Sequence, residues 1–138
     1  MKLAIDSSAF AKRYVEEVGS ERLFEILQDA SELALCVLVV PEILSGLNRR
    51  KREGFVSNEN YQVAKKQLLT DIRDATILQI TPAVVFHSVN LLESNSLRAM
   101  DALHIACALE WQADLFLTAD KKQLEAAVKA GVQTELIG

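Results

Sequence analysis

The chain has 138 residues, half of them hydrophobic, with only 5 Gly and 2 Pro; that make-up predicts one compact domain over residues 1–138 and excludes disordered, collagen-like and low-complexity classes. Fifteen Lys and Arg against 19 Asp and Glu leave a formal charge of −4, so any contact with nucleic acid must use local patches rather than bulk charge. Only 6% of the residues are aromatic, too few for a base-stacking platform, and Cys36 and Cys107 lie inside apolar runs without CxxC or zinc spacing.

In chain order, Lys2–Ile5 reads as a short strand that stops at Asp6. Helices are predicted over Ser7–Glu17 and, after Gly19, over Ser20–Ala30. Leu33–Val40 is a continuous β-branched-rich run, the mark of a strand buried on both faces. Pro41 suits the first position of a helix that runs through Arg52 and stops at Gly54. Ser57 caps a helix to about Ala75, Thr76–Ile80 is a strand, and Pro82 opens a helix to about Glu93. Beyond the loop Ser94–Leu97, Ala99–Gln112 is a helix that is apolar nearly all round. A strand Leu115–Thr118, a helix Lys121–Ala130 and a last strand Thr134–Ile137 complete the chain.

Short apolar strands alternating with helices predict an α/β three-layer sandwich, a parallel sheet covered on both faces. Right-handed crossovers place the carboxyl ends of the strands on one edge, where ligands of such sheets bind. The longest apolar run, Leu33–Pro41, is far short of a membrane span, and the apolar start meets Asp6 too soon for a signal peptide. The expectation is a soluble, cytoplasmic protein with no membrane partner.

The usual occupants of that edge are missing: no GxGxxG, no GxxxxGK[ST], no Gly-x-Ser-x-Gly elbow, and no second acid after Asp6 as an aspartyl-phosphate phosphatase would need. What remains is acidic. Asp6 ends the first strand, Glu42 follows the second, Asp101 lies in the first turn of the apolar helix, and Asp120 follows the fourth strand. Each alone is equally a carboxylate favoured at a helix start by about 0.3–1 kcal/mol. Four on one edge would repel one another and raise one another's pKa, a conflict that a divalent cation removes. Oxygen-only ligands suit Mg²⁺ or Mn²⁺ rather than zinc.

Four motifs carry a resemblance. They are Leu3-Ala4-Ile5-Asp6-Ser7-Ser8, then Pro41-Glu42-Ile43, then Leu97 through Ala106 with Asp101 and His104, and finally Leu117-Thr118-Ala119-Asp120. In this order and spacing the chain resembles PIN-domain ribonucleases, and most of all the VapC toxins of toxin–antitoxin pairs. The resemblance implies strand order 3-2-1-4-5, with Asp6, Glu42, Asp101 and Asp120 as catalytic, metal-holding acids. It implies small hydroxyl residues at Ser7 or Ser8 and at Thr118, of which Ser7 and Thr118 are the candidates for orienting the carboxylates. The implied activity is endoribonuclease cleavage with Mg²⁺ or Mn²⁺, in which water attacks a backbone phosphorus in line. A cognate antitoxin and a homodimer are the implied partners, docking on apolar surface of the helices between Pro41 and Ala75. Lys121-Lys122-Gln123 departs from the acidic-aromatic pair found in many relatives.

The basic run Arg49-Arg50-Lys51-Arg52 is a candidate for RNA phosphate contacts, and equally a complement to the negative end of its helix. Arg98 either meets phosphate or pairs with an acid. His104, three residues from Asp101, reads as a packed, hydrogen-bonded histidine beneath the acids rather than a base or ligand. A housekeeping RNA-processing nuclease and a non-catalytic binding module on the same scaffold are the alternative readings. A phospho-receiver domain would need a second acid after the first strand and a Lys after the fifth, and both are missing.

Overall fold

The computed structural model describes all residues, 1–138. Five strands, β1 (Lys2–Ile5), β2 (Glu32–Cys36), β3 (Thr76–Leu78), β4 (Leu115–Thr118) and β5 (Thr134–Leu136), form one sheet in the order β3-β2-β1-β4-β5. Every pairing is parallel. The helices are α1 (Ser7–Phe10), α2 (Ser20–Asp29), α3 (Val39–Arg52), α4 (Asn58–Asp71), α5 (Pro82–Ser94), α6 (Ala99–Trp111) and α7 (Lys121–Lys129). From β1 the chain steps outward to β2 and β3, then crosses back to β4 and β5. Right-handed crossovers therefore send α2, α3 and α4 to one face and α5, α6 and α7 to the other. The central strands β1 and β4 bury Leu3, Ala4, Ile5, Phe116 and Leu117, whereas the edge strands β3 and β5 hold no buried residue. In α6, Ala102, Ile105, Ala106, Cys107 and Ala108 are all buried, as a helix apolar all round must be.

Register sets the site. Ile5 lies opposite both Leu35 of β2 and Leu117 of β4, so these three strands end level with one another. The Asp6 N–H continues the ladder to the Leu117 carbonyl at 3.0 Å.

Most elements lie where the sequence places them; the strand expected over Thr76–Ile80 stops at Leu78, and larger departures occur at the β2–α3 boundary, in the first helix and at the end of α4. The second strand ends at Cys36 rather than Val40, and α3 begins at Val39. Pro41 is thus its third residue, not its first. The first turn of any helix leaves its N–H groups without intrahelical partners, so a proline costs nothing at any of these positions. The first helix stops at Phe10, and Ala11–Arg13 tightens into a 3-10 turn instead of running to Glu17. Helix α4 ends at Asp71, four residues before Ala75.

The last two departures meet at one side chain. Asp71 accepts hydrogen bonds from Arg13 Nε (2.6 Å) and Nη2 (3.2 Å), Tyr14 Oη (2.6 Å) and Gln67 Nε2 (2.9 Å). This clip fastens the end of α4 to the 3-10 turn. Partial burial pushes the Asp71 carboxyl up, but its bonds to Arg13, Tyr14 and Gln67 outweigh that and hold it below its ordinary value of 3.8. A carboxyl depressed in the folded state contributes stability above its unfolded pKa and loses it as pH falls through the folded one. Asp71→Asn should therefore cost about 1–2 kcal/mol at pH 7 in urea unfolding. The gap to wild type should shrink as pH drops below 3.8. A gap that stays constant into strong acid would show that shape, not charge, holds the clip.

Candidate active site

Asp6 caps α1 from the carboxyl end of β1 and is fully buried. Its Oδ1 accepts from the Ala9 N–H (2.9 Å) and its Oδ2 from the Thr118 hydroxyl (2.6 Å). The Ser8 hydroxyl lies 2.8 Å from both oxygens and divides its one hydrogen between them. Thr118 Oγ1 in turn accepts from the Asp120 N–H (3.0 Å), and Ser8 Oγ from the Ala119 N–H (3.0 Å). One buried carboxylate thereby organises the β4–α7 turn. Burial raises the pKa of Asp6, against the hydrogen bonds of Thr118, Ala9 and Ser8 and the charge of His104.

Glu42 lies in the first turn of α3, where the early start of that helix lets its side chain reach across to α1 and α6. Its Oε1 accepts from Ser7 Oγ (2.6 Å) and from His104 Nε2. Partial burial pushes Glu42 up, but the bonds from His104 and Ser7 prevail and hold it below the usual carboxylate range. Burial opposes a charge on His104, yet the bond to Glu42 and the charge of Asp6 prevail and raise its pKa. His104 is buried on α6, as the sequence predicts, and its Nδ1 has no partner.

Asp101, half-buried in the first turn of α6, accepts from Gln123 Nε2 at 3.1 Å. Burial and then the neighbouring charge of Asp120 raise its pKa, with His104 opposing. Asp120 caps α7 and accepts the N–H groups of Lys122 (2.8 Å) and Gln123 (3.4 Å). Asp120 and Glu42 are both close enough to raise Asp101, so these three acids share one electrostatic neighbourhood at the sheet edge, and His104, which lowers both Asp101 and Asp6, links Asp6 to it.

The donor set has the chemistry of a site for a hard divalent cation: carboxylate oxygens, two of them on groups whose charge is disfavoured as they stand. As placed, no three of these side chains converge tightly enough to ligate one ion. The acceptor positions of Asp6 are also filled from within the chain, Ser8 being the partner shared between its oxygens.

The structure divides the two candidate hydroxyl residues, since Ser8 and not Ser7 serves Asp6 while Ser7 serves Glu42. It divides the basic run as well. Arg49 and Glu42 together line two adjoining hollows of about 320 and 480 Å³. Arg50 borders the smaller one and reaches Glu17 at 3.9 Å, whereas Arg52 lines neither. Lys51 lies over the Tyr61 ring, 4.6 Å from its centroid. Arg98 is exposed at the N-cap of α6 and forms no ion pair. The role of Gln123 goes unread in the sequence, although a polar residue on the buried face of α7, beside Ala126 and Ala127, is a signal that could have found it.

With β1 and β4 meeting at the centre of the sheet and four acids around their ends, the fold has the strand order the sequence motifs imply. The chain belongs to the PIN domain family, whose model matches residues 3–129. Solved structures of similar fold include VapBC from Salmonella typhimurium bound to DNA, at a TM-score of 0.72 and 10% identity over 100% of this chain and 99% of that one. VapBC2 from Rickettsia felis, bound to a DNA fragment from its promoter, gives 0.71 and 15% over 99% and 98%. Mycobacterium tuberculosis VapC20, a toxin that cleaves the sarcin-ricin loop, gives 0.69 and 14% over 94% and 95%. No curated protein is significantly similar in sequence.

Thr118 tests the network at its most connected point. Thr118→Val keeps the shape but removes the donor to Asp6 and the acceptor for the Asp120 N–H. It should lower stability at pH 7 by about 1–3 kcal/mol in urea unfolding, with Thr118→Ser recovering most of it. A valine variant as stable as wild type would show that Asp6 finds other partners.

Proposed function

We propose that the protein is a metal-dependent endoribonuclease, residues 1–138 forming one PIN nuclease unit, and that it is the toxin of a type II toxin–antitoxin pair. The observation that carries this reading is the acidic edge at the strand ends, where Asp6, Glu42, Asp101 and Asp120 stand at the starts of α1, α3, α6 and α7 and none pairs with a lysine or arginine. Asp6 and Asp101 would be the principal holders of Mg²⁺ or Mn²⁺, with Glu42 and Asp120 completing the set. When bound, such a cation supplies positive charge to the attacking and leaving oxygens of an in-line displacement at phosphorus.

The chain's own residues do the rest. Thr118 and Ser8 hold Asp6, and Ser7 and His104 hold Glu42, so two of the four carboxylates are oriented before any ligand arrives. Arg49, beside Glu42 in both hollows, and the unpaired Arg98 bind backbone phosphates flanking the scissile one. Arg50 contributes less, being shared with Glu17, and Arg52 least.

The partner is an antitoxin, in keeping with the complexes among the solved relatives. An apolar hollow of about 370 Å³ along α3 and α4, lined by Val15, Leu47, Val56 and Val63, supports docking of that partner on these helices. A second copy of the chain has apolar surface available on α5, where Val85, Phe86, Val89 and Leu92 are exposed. A non-catalytic module on a PIN scaffold is the competing reading, favoured by the filled acceptor positions of Asp6.

Purified protein should cleave single-stranded RNA only with Mg²⁺ or Mn²⁺, and chelator or Asp101→Asn should abolish cleavage. At ten times the dissociation constant, Mg²⁺ should stabilise the wild type by about 1.4 kcal/mol, and Asp101→Asn should lose most of that gain in thermal melts. Metal-insensitive melts together with no cleavage would favour the binding-module reading; cleavage undiminished in excess chelator would remove the metal. For substrate contacts, Arg49→Glu should weaken RNA binding and flatten its salt dependence by roughly 0.7 in log–log slope, with Arg52→Glu changing it less. Equal effects of the two would mean that the run acts only as a diffuse positive field.

A further inference from the structure

Gln123 is out of place by pattern. It sits on the buried face of α7 with Ala126 and Ala127, and it is only 3% exposed. Burying an amide is unfavourable unless both its ends are hydrogen-bonded. One end is used, since Nε2 donates to Asp101 Oδ1 at 3.1 Å, but Oε1 is buried without a partner. Turning the amide over does not help, because its carbonyl oxygen would then face a carboxylate oxygen. An apolar side chain of the same size would pack on this face with no orphaned atom. The backbone N–H of Gln123 meanwhile reaches Asp120 Oδ1, so the residue stands between the two acids that most repel each other.

We propose that Gln123 is a positioning residue of the acidic site, its Nε2 fixing the Asp101 carboxylate in the orientation in which it would hold a divalent cation. The inference rests on the metal-dependent reading above and deepens it. Mg²⁺ demands near-ideal geometry and is usually held by only one or two carboxylates, so the orientation of each carboxylate weighs heavily on affinity. Residues that orient metal-holding carboxylates in this way change metal affinity by about ten- to a hundredfold when removed. Without metal the balance differs. Losing the bond to Asp101 is unfavourable, while removing the orphaned Oε1 is favourable, and the two oppose each other.

The test is a set of thermal melts at increasing Mg²⁺ on wild type, Gln123→Leu, Gln123→Met and Gln123→Glu. Leu and Met variants should melt near wild type without metal, yet need about tenfold more Mg²⁺ to reach half of the metal-induced shift. Gln123→Glu places a carboxylate against Asp101. It should melt lower than wild type without metal and gain more from Mg²⁺ than wild type does. A wild type that responds to Mg²⁺, with Leu and Met variants within twofold of its midpoint, would overturn the Gln123 assignment alone. A wild type with no Mg²⁺ response would overturn the metal reading and this inference together. Should the Leu variant not fold, the Met variant decides the midpoint and the Glu variant the sign.

Discussion

A carboxylate with no access to water must have all its acceptor positions filled or give up its charge. Asp6 is such a group, and the centre of the sheet is arranged around that demand. Filling Oδ1 from the Ala9 N–H requires the chain to turn directly from β1 into a helix. Filling Oδ2 from Thr118 requires β4 to end level with β1, which the pairing of Ile5 with Leu117 provides. Once Thr118 is in place, its oxygen fixes the N–H of Asp120, and Asp120 caps α7. Strand register, two helix starts and the meeting of β1 with β4 thus converge on one side chain.

The neighbouring acids are held by different means, and this sets their charges apart. Glu42 has a histidine and a serine to itself and stays ionised. Asp101 has one side-chain donor, the Gln123 amide, and faces Asp120, so both burial and a like charge act against its ionisation. One end of the acidic row is therefore saturated and the other under electrostatic tension. Protein donors settle the Glu42 side, and the Asp101–Asp120 side is where added positive charge would relieve most.

The topology and the placement of the acids were legible because they follow from coarse rules: alternating strands and helices, a fixed crossover hand, and carboxylates immediately after strand ends. Finer assignments were not, for identifiable reasons. Ser7 and Ser8 are adjacent in sequence, but successive residues of a helical turn point about 100° apart, given 3.6 residues per turn. Only the turn's orientation decides which meets Asp6. The β2–α3 boundary was misread because Leu33–Val40 is apolar throughout and Pro41 fits any of the first positions of a helix. Among Arg49–Arg52, composition is uniform, and only the helical phase relative to Glu42, seven residues from Arg49 on the same face, singles one out. Gln123 escapes a coarse reading because amides in amphipathic helices ordinarily face water.

Four acids elsewhere meet strong bases: Asp71 with Arg13, Glu135 and Glu25 with Arg22, and Glu17 with Lys12. None of Asp6, Asp101 or Asp120 forms an ion pair, and Glu42 has only a histidine. Hydroxyls, backbone N–H groups and one amide satisfy them instead. These donors fill lone pairs without cancelling charge, so the edge keeps a concentrated negative potential in a setting where an arginine would have been the more stabilising neighbour. Arg49 borders the Glu42 hollows and Arg98 is the N-cap residue of the helix that carries Asp101, yet neither side chain forms an ion pair with the row. Uncancelled charge with unpaired cations at its margin is an arrangement that leaves stability unclaimed, as sites shaped by function commonly do. Beyond His104 at Glu42, no ion pair of this chain balances the row.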